Sequence, residues 1–187
     1  MCVFNGTVAA GLAFRAWDST GTAGGLADAS VNGGSTAYSS ATATSGITVV
    51  PVNDAPLGTS RTVSTLENTA YVFTTADFGF ADADDAPGNA LLNVSIASLP
   101  AAGSLTDNGV AVSAGQRVSV SDIAGGRLVF TPAANANGAG HASFAFQVQD
   151  NGGTANGGVD LDPAPKTTTI DVTAVNGRVA TAVPRSA

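Results

Sequence analysis

Lysine and glutamate are almost missing from this chain, which contains only Lys166 and Glu67 of each. Cysteine is down to Cys2, so no internal disulfide can form. With His141 the only histidine, no Cys/His set for zinc can be assembled either. Aromatic residues make up 6% and charged residues 11% of the 187 positions. No apolar run approaches the roughly 20 residues that a membrane-spanning helix needs, so membrane insertion is not expected. Formal net charge is -7 and no basic cluster offsets it, which argues against nucleic acid as a partner. The opening M-C-V-F-N-G lacks a charged region followed by an apolar one, so it does not read as a signal peptide. It reads as mid-strand sequence, as expected of a piece of a longer chain.

What is present is small and turn-forming: 23 glycines, with Ala, Thr, Ser and Val filling much of the remainder. Strand patterns are short and regularly interrupted. Alternation marks 61–64 and 70–74, and 91–99 carries Leu, Val, Ile and Leu at near period two. Asp107-Asn108-Gly109 predicts a hairpin turn inside 103–112, because Asn-Gly tolerates positive φ. Strands at 117–120 and 127–131 flank S-D-I-A-G-G, where Asp122 is expected to cap one helical turn that Gly125 ends. T-T-A-D-F-G-F predicts another single turn, inserting Phe78 and Phe80 into the core. No segment has the 3.6-residue period of a long helix. The pattern predicts an all-β fold, an antiparallel β-sandwich.

The chain also repeats itself. I-T-V-V-P-V-N-D (47–54) and I-D-V-T-A-V-N-G (170–177) are variants of one element, about 120 residues apart. Upstream of each, an alternating strand stops at an aspartate and enters a glycine-rich loop: G-L-A-F-R-A-W-D at Asp18, H-A-S-F-A-F-Q-V-Q-D at Asp150. Residues 1–52 therefore read as the last two strands and linker of one repeat, 53–176 as a complete following repeat, and 177–187 as an irregular tail. In V-P-V-N-D-A-P, Pro51 and Pro56 restrict the backbone of a hinge between repeats.

V-N-D-A-P, T-L-E-N-T-A-Y-V-F, D-F-G-F-A-D-A-D-D, S-L-P-A-A-G-S-L, L-V-F-T-P-A-A-N-A-N-G and F-Q-V-Q-D-N-G-G-T follow one another in this order. Together they resemble the cadherin-like, immunoglobulin-like tandem repeats of large type I-secreted (RTX-type) bacterial surface adhesins. The resemblance covers 53–176, and 1–52 resembles the end of a sister repeat. It departs where Asn176 is followed by Gly177-Arg178-Val179 instead of Asp-Ala-Pro.

The densest carboxylate cluster is Asp82, Asp84 and Asp85 in A-D-A-D-D-A-P-G-N. Aspartates at alternate positions can turn several oxygens toward one point, as calcium requires with its 6 to 8 oxygen ligands. Spacing alone leaves this equally readable as a solvated acidic loop. The resemblance implies the calcium reading, with Glu67, Asp150, Asn53 and Asp54 completing a site at a pole of the sandwich, between domains. Asp18 stands at the repeat position of Asp150, without most of its companion ligands. Asp160 and Asp162 read as turn residues ahead of Pro163 and Pro165. His141 has no accompanying nucleophile motif and reads as a structural residue, and Trp17 as a core residue.

With this resemblance, the expectation is a non-enzymatic module with Ca2+ as its cofactor, a spacer in an extracellular adhesin on the bacterial cell surface. Its partners would be the neighbouring repeats, which it helps to hold a terminal adhesive domain away from the cell. A different class of reading is a loop-mediated module that itself binds a cell-surface glycan or protein. The sequence shows no cluster of loop aromatics for that role.

Overall fold

The computed structural model describes residues 6–16, 30, 32–36 and 38–175. Its contacts divide the chain into two compact units, Met1–Pro51 and Val52–Ala187. In the first, Gly6–Phe14 (β1) and Ala43–Val49 (β2) pair as a two-stranded antiparallel ribbon. Arg15 fastens its end, donating from Nη1 to the carbonyls of Ser39 (2.9 Å) and Ser40 (2.6 Å).

The second unit is a β-sandwich. Its strands are Arg61–Leu66 (β3), Tyr71–Val72 (β4), Leu91–Ile96 (β5), Ser104–Asp107 (β6), Val110–Ala111 (β7), Arg117–Ser119 (β8), Leu128–Thr131 (β9), Gly138–Asp150 (β10) and Lys166–Thr173 (β11). Five of them form one sheet in the order β3-β11-β10-β5-β8, and four form the other in the order β4-β9-β6-β7. All neighbours are antiparallel except β3 and β11. Alternation decides which side chains face inward. On β10, Ala142, Phe144, Phe146 and Val148 are buried, and on β11 Thr168, Ile170 and Val172. They meet Leu105, Leu128 and Phe130 from the other sheet in one core. Phe73 and Phe78 bind the layers edge-to-face: Phe73 to Phe144 at 5.5 Å between centroids, Phe78 to Phe146 at 5.0 Å.

Turn chemistry follows the residues that permit it. Asn108 and Gly109 take φ of 50° and 78° between β6 and β7, as an Asn-Gly hairpin demands. Thr75–Phe78 is a 3-10 turn that buries Phe78 completely, with Phe80 packed partly against the core. Val120–Ala124 (α1) is a single helical turn ended at Gly125. Its cap is Ser119, not Asp122. The Ser119 hydroxyl oxygen accepts from the Asp122 N–H at 3.1 Å, while its own O–H donates to the Asp122 carboxylate at 2.6 Å. As the last residue of β8, Ser119 has the extended φ/ψ that a cap needs, so Asp122 becomes the reciprocal carboxylate on the first turn. Cys2, Trp17, Asp18 and the tail at 177–187 lie outside the described residues.

Candidate functional site

One pole of the sandwich gathers the polar loops. The segment at 53–58 enters there, the D-A-D-D loop follows β4, and β10 ends there at Asp150. Asn53 is the latch. Its backbone carbonyl accepts from Val159 N–H (3.0 Å), and its Nδ2 donates to the Val159 carbonyl (2.7 Å) and to Asp150 Oδ1 (3.1 Å) and Oδ2 (3.3 Å). Asp54 offers its backbone N–H to Asp85 Oδ2 at 3.1 Å. Asn89, at the end of the acidic loop, donates its backbone N–H to Asp82 Oδ2 and its Nδ2 to Asp85 Oδ2 (3.0 Å) and to Asn53 Oδ1. Asp82, Asp85, Asp150, Asn53 and Asn89 thus form one hydrogen-bonded group. Asp84 sits exposed on the same loop.

Glu67 does not join this group. It leaves β3 at the end that runs alongside the close of β11, with its N–H on the Thr173 carbonyl at 2.9 Å. Its carboxylate accepts from Asn137 Nδ2 at 3.3 Å, near the start of β10. Asp150 closes the same strand 13 residues in length, roughly 40 Å away at 3.3 Å per residue. Strand direction is the reason: β3 runs parallel to β11 and therefore antiparallel to β10.

Asp150 is fully buried, and burial is the main influence pushing its carboxyl above the ordinary carboxylate range. The Gly152 N–H on Oδ1 (2.8 Å) and the Asn53 amide oppose this, while the nearby charges of Asp82 and Asp160 add to it. Asp82 Oδ1 is buried with no hydrogen-bond partner. A Cβ at Gly152 would displace the Asn53 and Asn89 amides from their present positions. Among the described residues, no three carboxylate, histidine or cysteine side chains are grouped closely enough to hold a metal by themselves. The set is instead mixed, with carboxylates and amides interleaved. Hard oxygen donors, one of them buried without a partner, suit a divalent cation such as calcium. The two amides face the carboxylates with nitrogen, and a half-turn of each terminal torsion presents oxygen instead.

Asn89 escapes sequence reading because an asparagine after Pro-Gly reads as an ordinary turn; only its hydrogen bonds assign it here. Asp162 is a structural knot. Fully buried, it accepts from Gly58 N–H (2.8 Å) and Ala164 N–H (3.0 Å), with Lys166 Nζ 3.1 Å away. Asp160 accepts from Gln149 Nε2 at 2.9 Å. His141 Nε2 is buried with no hydrogen-bond partner, so that nitrogen activates no hydroxyl. No helix among the described residues is long and apolar enough to cross a membrane.

A family model described as "Bacterial Ig domain" matches residues 53–162, more than half of the chain. No curated protein and no solved structure matches it.

Proposed function

The chain belongs to the bacterial Ig domain family, whose members are typically non-enzymatic structural modules, and from that premise we propose that the second unit is a calcium-stabilised spacer repeat of a secreted bacterial surface adhesin. One observation supports the metal above others: the partnerless buried oxygen of Asp82, in the hydrogen-bonded group that Asn89 and Asn53 extend to Asp85 and the buried Asp150. Asp82, Asp85 and Asp150 would hold the ion, with Asn53 and Asn89 turning their carbonyl oxygens inward. Bound calcium supplies positive charge that offsets the mutual repulsion of these carboxylates. Asn53 belongs to the V-N-D-A-P segment, so stiffening this pole also stiffens the junction that precedes the sandwich. A spacer that holds a terminal adhesive domain away from the cell needs that stiffness under load.

Thermal melting tests the reading. Binding to the folded form alone stabilises by RT ln(1 + [L]/Kd), about 2.7 kcal/mol at one hundred times Kd. Millimolar calcium should therefore raise the melting temperature by on the order of 5 to 15 °C over chelated protein. Sodium chloride of equal ionic strength should not, because screening leaves close, partly buried charges mostly untouched. Asp85→Asn should remove most of the calcium increment, and Glu67→Gln, at the far pole, should retain it. Coincident curves with calcium and with chelator would sink the metal reading.

A further inference from the structure

The β1–β2 ribbon repeats the pairing of β10 with β11. Gly6 faces Val49 as Gly138 faces Val172, and Leu12, Ala13 and Phe14 face Ser45, Thr44 and Ala43 as Phe144, Ala145 and Phe146 face Thr168, Thr167 and Lys166. A single offset on each strand carries these four of the six pairs of one ribbon onto the other, and the remaining two differ because the register breaks at a different point in each. Both ribbons break register once, between Val8 and Leu12 in the first and between Gly138 and Ala142 in the second, and both resume the shared alignment. Two ribbons with one register put the same positions on the same face. The environments, however, are opposite. Phe144, Phe146, Ile170 and Val172 are 1, 0, 0 and 3% exposed, whereas their counterparts Leu12, Phe14, Ile47 and Val49 are 58, 49, 56 and 41% exposed.

We propose that β1–β2 is the closing ribbon of a second bacterial Ig sandwich, and that its apolar face is a docking surface for the other strands of such a repeat, equivalents of residues 57–131. The second unit serves as the template. There β11 takes β3 as a parallel neighbour, β10 takes β5 as an antiparallel neighbour, and the inner face is covered by Phe73, Phe78 and Phe130. The partner should therefore offer one strand of each direction at the two edges and an aromatic layer above. A second copy of this chain fits poorly. Its sandwich already carries β10–β11 in that slot, and two ribbons packed face to face would bury only about 300 Å² each, well under the roughly 800 Å² per partner of a stable interface. The inference rests on the Ig family assignment and is independent of whether the pole binds calcium.

The test is to fuse a second copy of residues 53–137 directly ahead of Gly6 of the otherwise full chain, so that Gly6 takes the place of Gly138. Hydrogen exchange reads both ribbons in one molecule. Amides of β1 and β2 should slow at least a hundredfold relative to the unfused chain, while those of β10 and β11 stay as they were. Phe14→Asp in the fused chain should abolish the gain on β1 and β2 alone. If β10–β11 remain protected while β1–β2 exchange as fast as before, the proposal is overturned, because the same strands then complete one ribbon and not the other. Sedimentation of the unfused chain supplies the second arm. A monomer agrees with the proposal, and a dimer lost on Phe14→Asp overturns it by making a second copy the occupant.

Discussion

Asp150 shows at a single residue how the pole is balanced. Its carboxyl is raised above the ordinary value of 3.8 chiefly by burial, so the native state keeps a proton that the unfolded chain has released once pH passes 3.8. Between those two values the native state binds more protons, and stability falls as pH rises through the window. Asp150→Asn removes this titration and preserves the geometry, because an amide oxygen in the Oδ1 position still accepts from Gly152 and Asn53. In chelator, the variant should lose part of the wild-type decline in urea midpoint as pH rises above 3.8, and should match or exceed wild type once that decline is complete. With calcium the order should reverse, since a charged ligand is gone. A variant whose midpoints track wild type at every pH without calcium would contradict the account of Asp150.

Among the elements, α1 is short enough that its cap matters. A five-residue helix has nearly all its N–H groups unpaired by the helix itself, and Ser119 meets one of them while also holding Asp122. Arg127 completes the corner at 2.7 Å from Asp122, and hydrogen bonds from Ser119 and Arg127 hold the Asp122 carboxyl below its ordinary range. Ser119→Ala should cost about 1 kcal/mol, read from denaturant midpoints at constant slope. Asp122→Asn should cost less, because the cap itself survives. Equal losses would point to the carboxylate as the cap, as expected from sequence. That expectation missed because Ser and Asp both cap helices. The choice of Ser119 depends on where β8 ends and its backbone turns.

At the scale of the molecule, the second unit carries a self-contained core, every member of which lies between Val63 and Val172. Deleting residues 1–51 should therefore leave the main melting transition within about 1 °C of the full chain, and the calcium increment with it. A loss of several degrees in calorimetry would mean that the first unit contributes to the stability of the sandwich. The same deletion removes Leu12, Phe14, Ile47 and Val49, so binding of an apolar dye at low denaturant should drop with them.

Much of this fold is readable from local sequence because its rules are local. Period-two alternation in H-A-S-F-A-F-Q-V-Q-D sets the buried face of β10, Asn108-Gly109 sets the turn between β6 and β7, and the order of motifs carries the family resemblance. The repeat near 47–54 and 170–177 likewise foreshadows the matching registers of the two ribbons. The membership of the pole was not readable in full. Asn53, Asp54, Asp82, Asp85 and Asp150 do come together, yet Glu67 lies at the other end and Asn89 takes a place that no motif assigned it. Which pole a loop occupies depends on whether its strand runs parallel or antiparallel to a neighbour about 100 residues away, as β3 does beside β11. Side-chain alternation is identical in both directions, so sequence alone determines which face a residue takes, and only tertiary pairing decides to which end it is carried.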